Sequence, residues 1–182
     1  LKTKSLRQIK RERIDSIFHR LGYNEVVNYS FVSPSMNSLS NSDQDMIDLQ
    51  NPISIEMSVM RNSLWPGLLN NLSHNIKRQY KNIKIFEIGK VFGSKNKKPI
   101  EKNVIAGLIY GQRRLESWAY QKNSLDFYDL KGHLEDLFNS FELKNITFLS
   151  TSHPMLCPGV AAEIKLKNKK IGIIGMLNPE LA

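Results

Sequence analysis

Met60-Arg61-Asn62-Ser63-Leu64-Trp65-Pro66-Gly67-Leu68-Leu69, followed downstream by Ile85-Phe86-Glu87-Ile88-Gly89-Lys90-Val91-Phe92, carries the signals that set the architecture. From Trp65 the apolar residues Leu68, Leu69, Leu72, Ile76 and Tyr80 return at spacings of three and four, the period of a helix buried on one face. Pro66 falls in the first turn, where its missing N–H costs nothing. Residues 83–92 carry β-branched and aromatic side chains on both faces and predict a strand.

Upstream, Leu6, Ile9, Ile14, Ile17, Phe18 and Leu21 share one helical face, and Gly22 is placed to close that helix. Residues 25–31 then alternate. Val27, Tyr29 and Phe31 point one way and Val26, Asn28 and Ser30 the other, which predicts a half-buried strand. Residues 34–45 are small and polar and read as a surface helix or turn. Residues 46–49 read as a short strand, broken by Asn51-Pro52. Downstream, residues 95–98 form an exposed turn. Residues 104–110 are the most apolar strand and are expected at the centre of the sheet. Residues 127–141 predict an amphipathic helix with Leu130, Leu134, Leu137, Phe138 and Phe141 on one stripe. A short strand follows at 146–149. Residues 160–166 and 171–176 flank a lysine-rich turn as a hairpin. Strands cluster instead of alternating with helices. The expected fold is therefore α+β, an antiparallel sheet flanked by helices, in a single module over residues 1–182.

Composition sets the outer bounds. At 182 residues and 41% hydrophobic, the chain suits a globular domain with its own core. Apolar runs such as 104–110 fall far short of the roughly 18 residues of a membrane span, and no signal peptide is visible. The chain begins at Leu1, not Met, and reads as a piece of a longer polypeptide. The single cysteine, Cys157, excludes an internal disulfide and suits a reducing cytosol. The net charge of +9 gathers at residues 2–13, 77–84, 95–102 and 165–170. Such an excess favours polyanions, RNA above all, and equally fits solvated lysine-rich faces.

Catalytic signatures are missing. No nucleophile elbow, phosphate loop or dinucleotide fingerprint occurs, and one cysteine with four histidines makes no zinc pattern. His153-Pro154 reads as a turn with a satisfied or exposed imidazole. Asp126 and Asp129 sit where a helix N-terminus favours negative charge, so capping explains them better than acid–base work.

The order of these segments resembles class II aminoacyl-tRNA synthetases. Their first motif is a long helix feeding a strand around Gly-(Phe/Tyr)-x-Glu-Val, matched by Gly22-Tyr23-Asn24-Glu25-Val26. Their second begins close to Phe-Glu-Ile-Gly-x-Val-Phe, matched by residues 86–92. Catalytic members place next an arginine that grips the ATP α-phosphate, then a glutamate. This chain has Gly93-Ser94-Lys95. Gly93 lacks a side chain, and Lys95 supplies at most a mobile point charge in place of a fixed guanidinium fork. The glycine-rich third motif is not found before Ala182.

A class II scaffold without its catalytic side chains is similar to the β-subunit family of bacterial phenylalanyl-tRNA synthetases. The likeness runs through residues 22–31, 49–69, Asn75, Arg78, 85–92 and 127–132 to a closing segment around His153-Pro154 and Pro158-Gly159. Cys157 and Asn178 stand where the family carries histidines. The resemblance implies a non-catalytic, interface-building module, truncated at both ends relative to the full subunit and cytoplasmic. It would work within an (αβ)2 heterotetramer whose α subunit uses ATP and magnesium to charge tRNA(Phe) with phenylalanine. It implies no cofactor, metal or catalytic residue in this fragment. From the motif position, Ile14, Ile17, Phe18 and Leu21 are expected to divide between the core and contact with the α subunit. Lys77, Arg78, Lys81 and Lys84 are candidates to face tRNA. The alternatives are an autonomous RNA-binding module and a catalytically active class II domain with an unusual second motif.

Overall fold

The computed structural model describes residues 5–40, 45–95, 98–113 and 123–181. Lys2, Asp43 and Lys97, which belong to the segments discussed above, lie outside the described residues.

Helix α1 (Leu6–Arg20) opens with a capping box. Ser5 Oγ accepts from the Gln8 N–H at 3.3 Å, and the Ser5 N–H donates to Gln8 Oε1 at 2.8 Å. It closes as the sequence predicts. The N–H groups of Gly22 and Tyr23 donate to the His19 and Phe18 carbonyls at 2.9 Å, with Gly22 at φ +83°. Strand β1 (Asn24–Glu25) follows, then β2 (Phe31–Val32), the short helix α2 (Pro34–Ser38), a 3-10 turn at Ile55–Met57 and β3 (Val59–Met60). Helix α3 (Trp65–Lys77) carries Pro66 in its first turn. Strands β4 (Ile83–Lys95) and β5 (Lys98–Tyr110) make a long hairpin in unbroken antiparallel register. Helix α4 (Phe127–Ser140) leads to β6 (Ile146–Ser150), β7 (Leu156–Leu166) and β8 (Lys169–Leu177).

Among the described residues the strands form three sheets, ordered β1–β4–β5, β2–β3 and β6–β7–β8, all antiparallel except the β1–β4 pair. The α+β expectation holds. Three local expectations need correction. The strand expected over residues 25–31 is not continuous: only Asn24–Glu25 (β1) and Phe31–Val32 (β2) are strand, and residues 26–30 between them are not. Residues 104–110 lie in an edge strand, and β4 is central. Their two apolar faces arise because helices cover both sides of the sheet: Ile109 packs with one core cluster, Ala106 and Leu108 with another. Residues 46–49 form no strand, only the isolated bridge Asp48↔Val59 beside Asp45↔Ser94.

The first core lies between α1, α4 and one face of β4. Phe18 stacks on Phe86 at 4.7 Å and meets Tyr23 edge-on at 5.0 Å, with Ile17 and Leu137 beside them. The second lies under α3 on the opposite face, from Leu68, Leu72, Ile83 and Ile85. The third packs Ala162, Ile164 and Ile174 against the other flank of α4. Leu134 contributes to both the first and third clusters, so α4 ties the two main sheets together.

Candidate functional site: a closed polar cluster beneath an outward-facing segment

On β4, Ile83 and Ile85 face α3, and the period of two puts Glu87 and Gly89 on that same face. A carboxylate there is taken out of water. Arg61, just after β3, meets it: Arg61 Nη1 donates to Glu87 Oε1 at 2.6 Å, with the two residues only 5% and 2% exposed. Arg61 Nε donates to the Lys90 carbonyl at 2.9 Å, and Nη1 reaches the carbonyls of Asn28 and Tyr29 at 3.5 Å. Asn28 Nδ2 donates to Glu87 Oε2 at 2.8 Å. Asn28 Oδ1 accepts from Asn71 Nδ2 of α3 at 3.0 Å. Two glycines make room. A Cβ on Gly67 would lie 2.8 Å from Asn28 Cβ, and one on Gly89 would collide with Arg61 Nη2.

This cluster decides the course of residues 26–30. The Val26 N–H still bonds to the Phe86 carbonyl at 2.8 Å, as a strand would. Then the chain leaves the ladder: Asn28 meets β4 at the Glu87 carboxylate, through its side-chain amide at 2.8 Å and its backbone N–H at 3.4 Å, instead of through backbone pairing. The predicted alternation survives: Val26 and Asn28 face the protein, while Val27 and Tyr29 are 88% and 71% exposed. The physical reason is that the inward face is occupied by a charged pair, which selects the amide and excludes the apolar set.

The sequence-predicted interface residues separate. Ile17 and Phe18 are buried in the first core, and Ile14 and Leu21 are half-buried against it. The apolar residues α1 leaves in solvent are Leu6 and Ile9. Among the basic candidates, Lys84 Nζ donates to the Leu21 carbonyl at 3.2 Å and lies 5.9 Å over the Tyr23 ring, so it finishes α1. Lys77 and Arg78, at the end of α3, are exposed, and Lys81 is exposed just beyond.

Where catalytic class II enzymes carry their arginine, the chain is closed by backbone pairing: Ser94 and Asp45 exchange N–H···O bonds of 3.0 and 3.1 Å. His153 is satisfied, as its turn context predicts. Its Nδ1 accepts from the Met155 N–H at 3.2 Å, Nε2 faces the Ser40 carbonyl at 3.3 Å, and Trp65 packs edge-on at 5.2 Å. Burial holds its pKa below the usual imidazole value. His133 Nδ1 shares a hydrogen bond of 2.9 Å with the Tyr23 hydroxyl. Burial, with Lys84 nearby, lowers its pKa, and burial raises that of Tyr23. Asp126 caps α4 through the Tyr128 and Asp129 N–H groups. Arg113 bridges Asp126 and Asp129 at 2.7 and 2.8 Å. A cavity of about 440 Å³ between α4 and β6 contains Lys131, which pairs with Glu135 at 3.1 Å and covers the Phe148 ring. Among the described residues, no group of three or more His, Cys, Asp or Glu is placed to hold a metal ion. No described helix is long and apolar enough to cross a membrane.

Sequence reasoning passed over Asn28, Arg61, Asn71 and Glu87. Its available signal was a glutamate inside an apolar strand, between Phe86 and Ile88, and an arginine straight after Val59 and Met60. A charge in an apolar run demands an opposite one.

A solved structure with this architecture is that of a pyrrolysyl tRNA synthetase from Desulfitobacterium hafniense. It superposes with a TM-score of 0.66 at 15% identity, over 93% of this chain and 56% of that one. The fold is that of a class II aminoacyl-tRNA synthetase. Sequence narrows this further. The phenylalanine–tRNA ligase β subunit of Legionella pneumophila (strain Paris) is 40% identical over 169 residues, and that of Dickeya dadantii 39% over 174 residues. Each match takes in 93% of this chain but only 21% and 22% of the relative. The chain belongs to the family described as the phenylalanyl tRNA synthetase beta chain CLM domain, whose match extends over residues 1–182.

Proposed function

We propose that this chain is the non-catalytic interface module of the β subunit of a cytoplasmic phenylalanine–tRNA ligase. It seats the α subunit, which uses ATP and magnesium to charge tRNA(Phe) in an (αβ)2 assembly. The observation that carries this reading is the outward presentation of Val27 and Tyr29, apolar side chains on a rigidly anchored segment. Unpartnered apolar groups held in fixed positions mark a protein contact. The polar cluster beneath them is closed and self-satisfied, which suits support and not chemistry. Ile17 and Phe18 belong to the first core, and Ile14 and Leu21, half-buried against it, are the residues of that helix end left to share the contact. Contact with tRNA runs through the assembly, with Lys77, Arg78 and Lys81 the exposed basic candidates.

The test is co-expression of the full-length β polypeptide with its α subunit. A stable heteromer that charges tRNA(Phe) is expected. This chain alone should give no ATP–pyrophosphate exchange. Exchange by the chain alone would establish a catalytic domain instead. Salt-dependent tRNA binding by the chain alone, lost on Lys77→Glu and Arg78→Glu, would favour an autonomous RNA-binding module.

A further inference from the structure

The buried ion pair has no role in chemistry, yet the local sequence is shaped around it. Burying Arg61 and Glu87 is a poor route to stability, because desolvation offsets most of their attraction. What such a pair does supply is direction. The guanidinium donates to Glu87 and to the Lys90 carbonyl on β4, and reaches toward the carbonyls of Asn28 and Tyr29 on segment 26–30. The Glu87 carboxylate takes the Asn28 amide, and Asn28 N–H lies 3.4 Å from it. The Arg61 N–H holds the Ser30 carbonyl at 2.9 Å. Thus the inward polar groups of residues 28–30 are bonded to the pair or to its arginine, and Asn71 fixes Asn28 from α3. Gly67 and Gly89 leave the space this needs.

We infer that Arg61, Glu87, Asn28 and Asn71 are positioning residues for subunit assembly: they hold segment 26–30 off the β4 ladder and turn Val27 and Tyr29 toward the α subunit. The inference rests on the docking reading above and adds the device that presents the contact. A continued parallel ladder would pair residues 26–30 with β4 through the backbone. The amide of Asn28 takes the place of that pairing, and a fully satisfied buried network admits one arrangement. The apolar side chains therefore stay outward without a partner, and the α subunit meets a preformed surface instead of ordering one.

The experiment uses the holoenzyme, co-expressed from full-length subunits. Its readouts are the concentration at which the heteromer dissociates on dilution, the amide exchange of residues 27–30, and the thermal midpoint. Asn28→Ala and Asn71→Ala are expected to raise the dissociation midpoint roughly five- to tenfold. Exchange at 27–30 should quicken while exchange in β7 and β8 stays unchanged. Asn71→Ala removes one hydrogen bond on α3, so it decides the matter if Asn28→Ala fails to fold. Val27→Asp is the control for docking itself. If Val27→Asp weakens assembly while Asn28→Ala and Asn71→Ala leave both the midpoint and local exchange unchanged, the positioning role is overturned and the docking reading stands. If Val27→Asp leaves assembly unchanged, the docking reading falls and the inference with it.

Discussion

Arg61 and Glu87 meet at 2.6 Å with almost no solvent on either side chain, and every neighbouring feature accommodates that contact. Removing one partner leaves an uncompensated buried charge. Arg61→Met and Glu87→Leu are each expected to destabilise the chain by about 3–5 kcal/mol. The double replacement Arg61→Met/Glu87→Leu should cost far less than the sum of the two single changes. Urea unfolding of the four proteins measures the difference. Additive losses would show that the two residues do not act as a pair.

The glycines give a sharper contrast. Gly89→Ala and Gly67→Ala force a methyl group against Arg61 and Asn28 and should each cost about 1–3 kcal/mol by overpacking. At Gly132, inside α4, an added Cβ would have nothing within 4 Å, so Gly132→Ala should stabilise by about 0.5–1 kcal/mol. Thermal or urea midpoints moving in opposite directions would bear this out.

Asp126 accepts from the Tyr128 and Asp129 N–H groups at 2.8 and 3.1 Å while Asp129 returns a bond to the Asp126 N–H at 2.8 Å. Asp126→Ala should cost about 0.5–2 kcal/mol. Asp126→Asn, which keeps a capping oxygen, should cost less. Equal losses would assign the effect to the exposed Arg113 bridge, which ordinarily contributes little.

Stability should depend on pH through His133. Its pKa lies below the ordinary 6.5 because burial disfavours the cation, with Lys84 adding to the effect against Asp129 and Asp136. Between 6.5 and the lower folded value, the unfolded chain holds a proton that the folded chain refuses. Stability is therefore full above about 6.5 and declines as pH falls through that window. His153 acts with the same sign. His133→Gln should flatten the decline of the thermal midpoint between pH 7 and pH 5. An unaltered slope would show that His133 does not set this dependence.

Much of this molecule is legible in its sequence because local rules and tertiary packing agree. The period of Leu68 and Leu72, the early Pro66, the closing Gly22 and the capping aspartate Asp126 all lead to the elements observed. Tyr80 shares the helical period but lies beyond α3 and is exposed, since Gln79 turns to φ +67° and ends the run. The edge placement of β5 was not legible, because apolarity reports coverage of both faces and not the number of neighbouring strands. The inward face of residues 26–30 was hidden for a related reason. Alternation reveals two faces, but which one turns inward depends on Glu87 and Arg61, far away in sequence. The burial of Ile17 and Phe18 follows from Phe86, a partner no helical pattern names.

The docking of a second subunit on Val27 and Tyr29 is tested most directly by photochemistry. Tyr29 is replaced with photoreactive benzoylphenylalanine in the full-length β polypeptide, co-expressed with the α subunit and irradiated as the purified holoenzyme. A crosslink from position 29 to the α subunit is the predicted result. Crosslinking confined to the β polypeptide, in an intact heteromer, would contradict it.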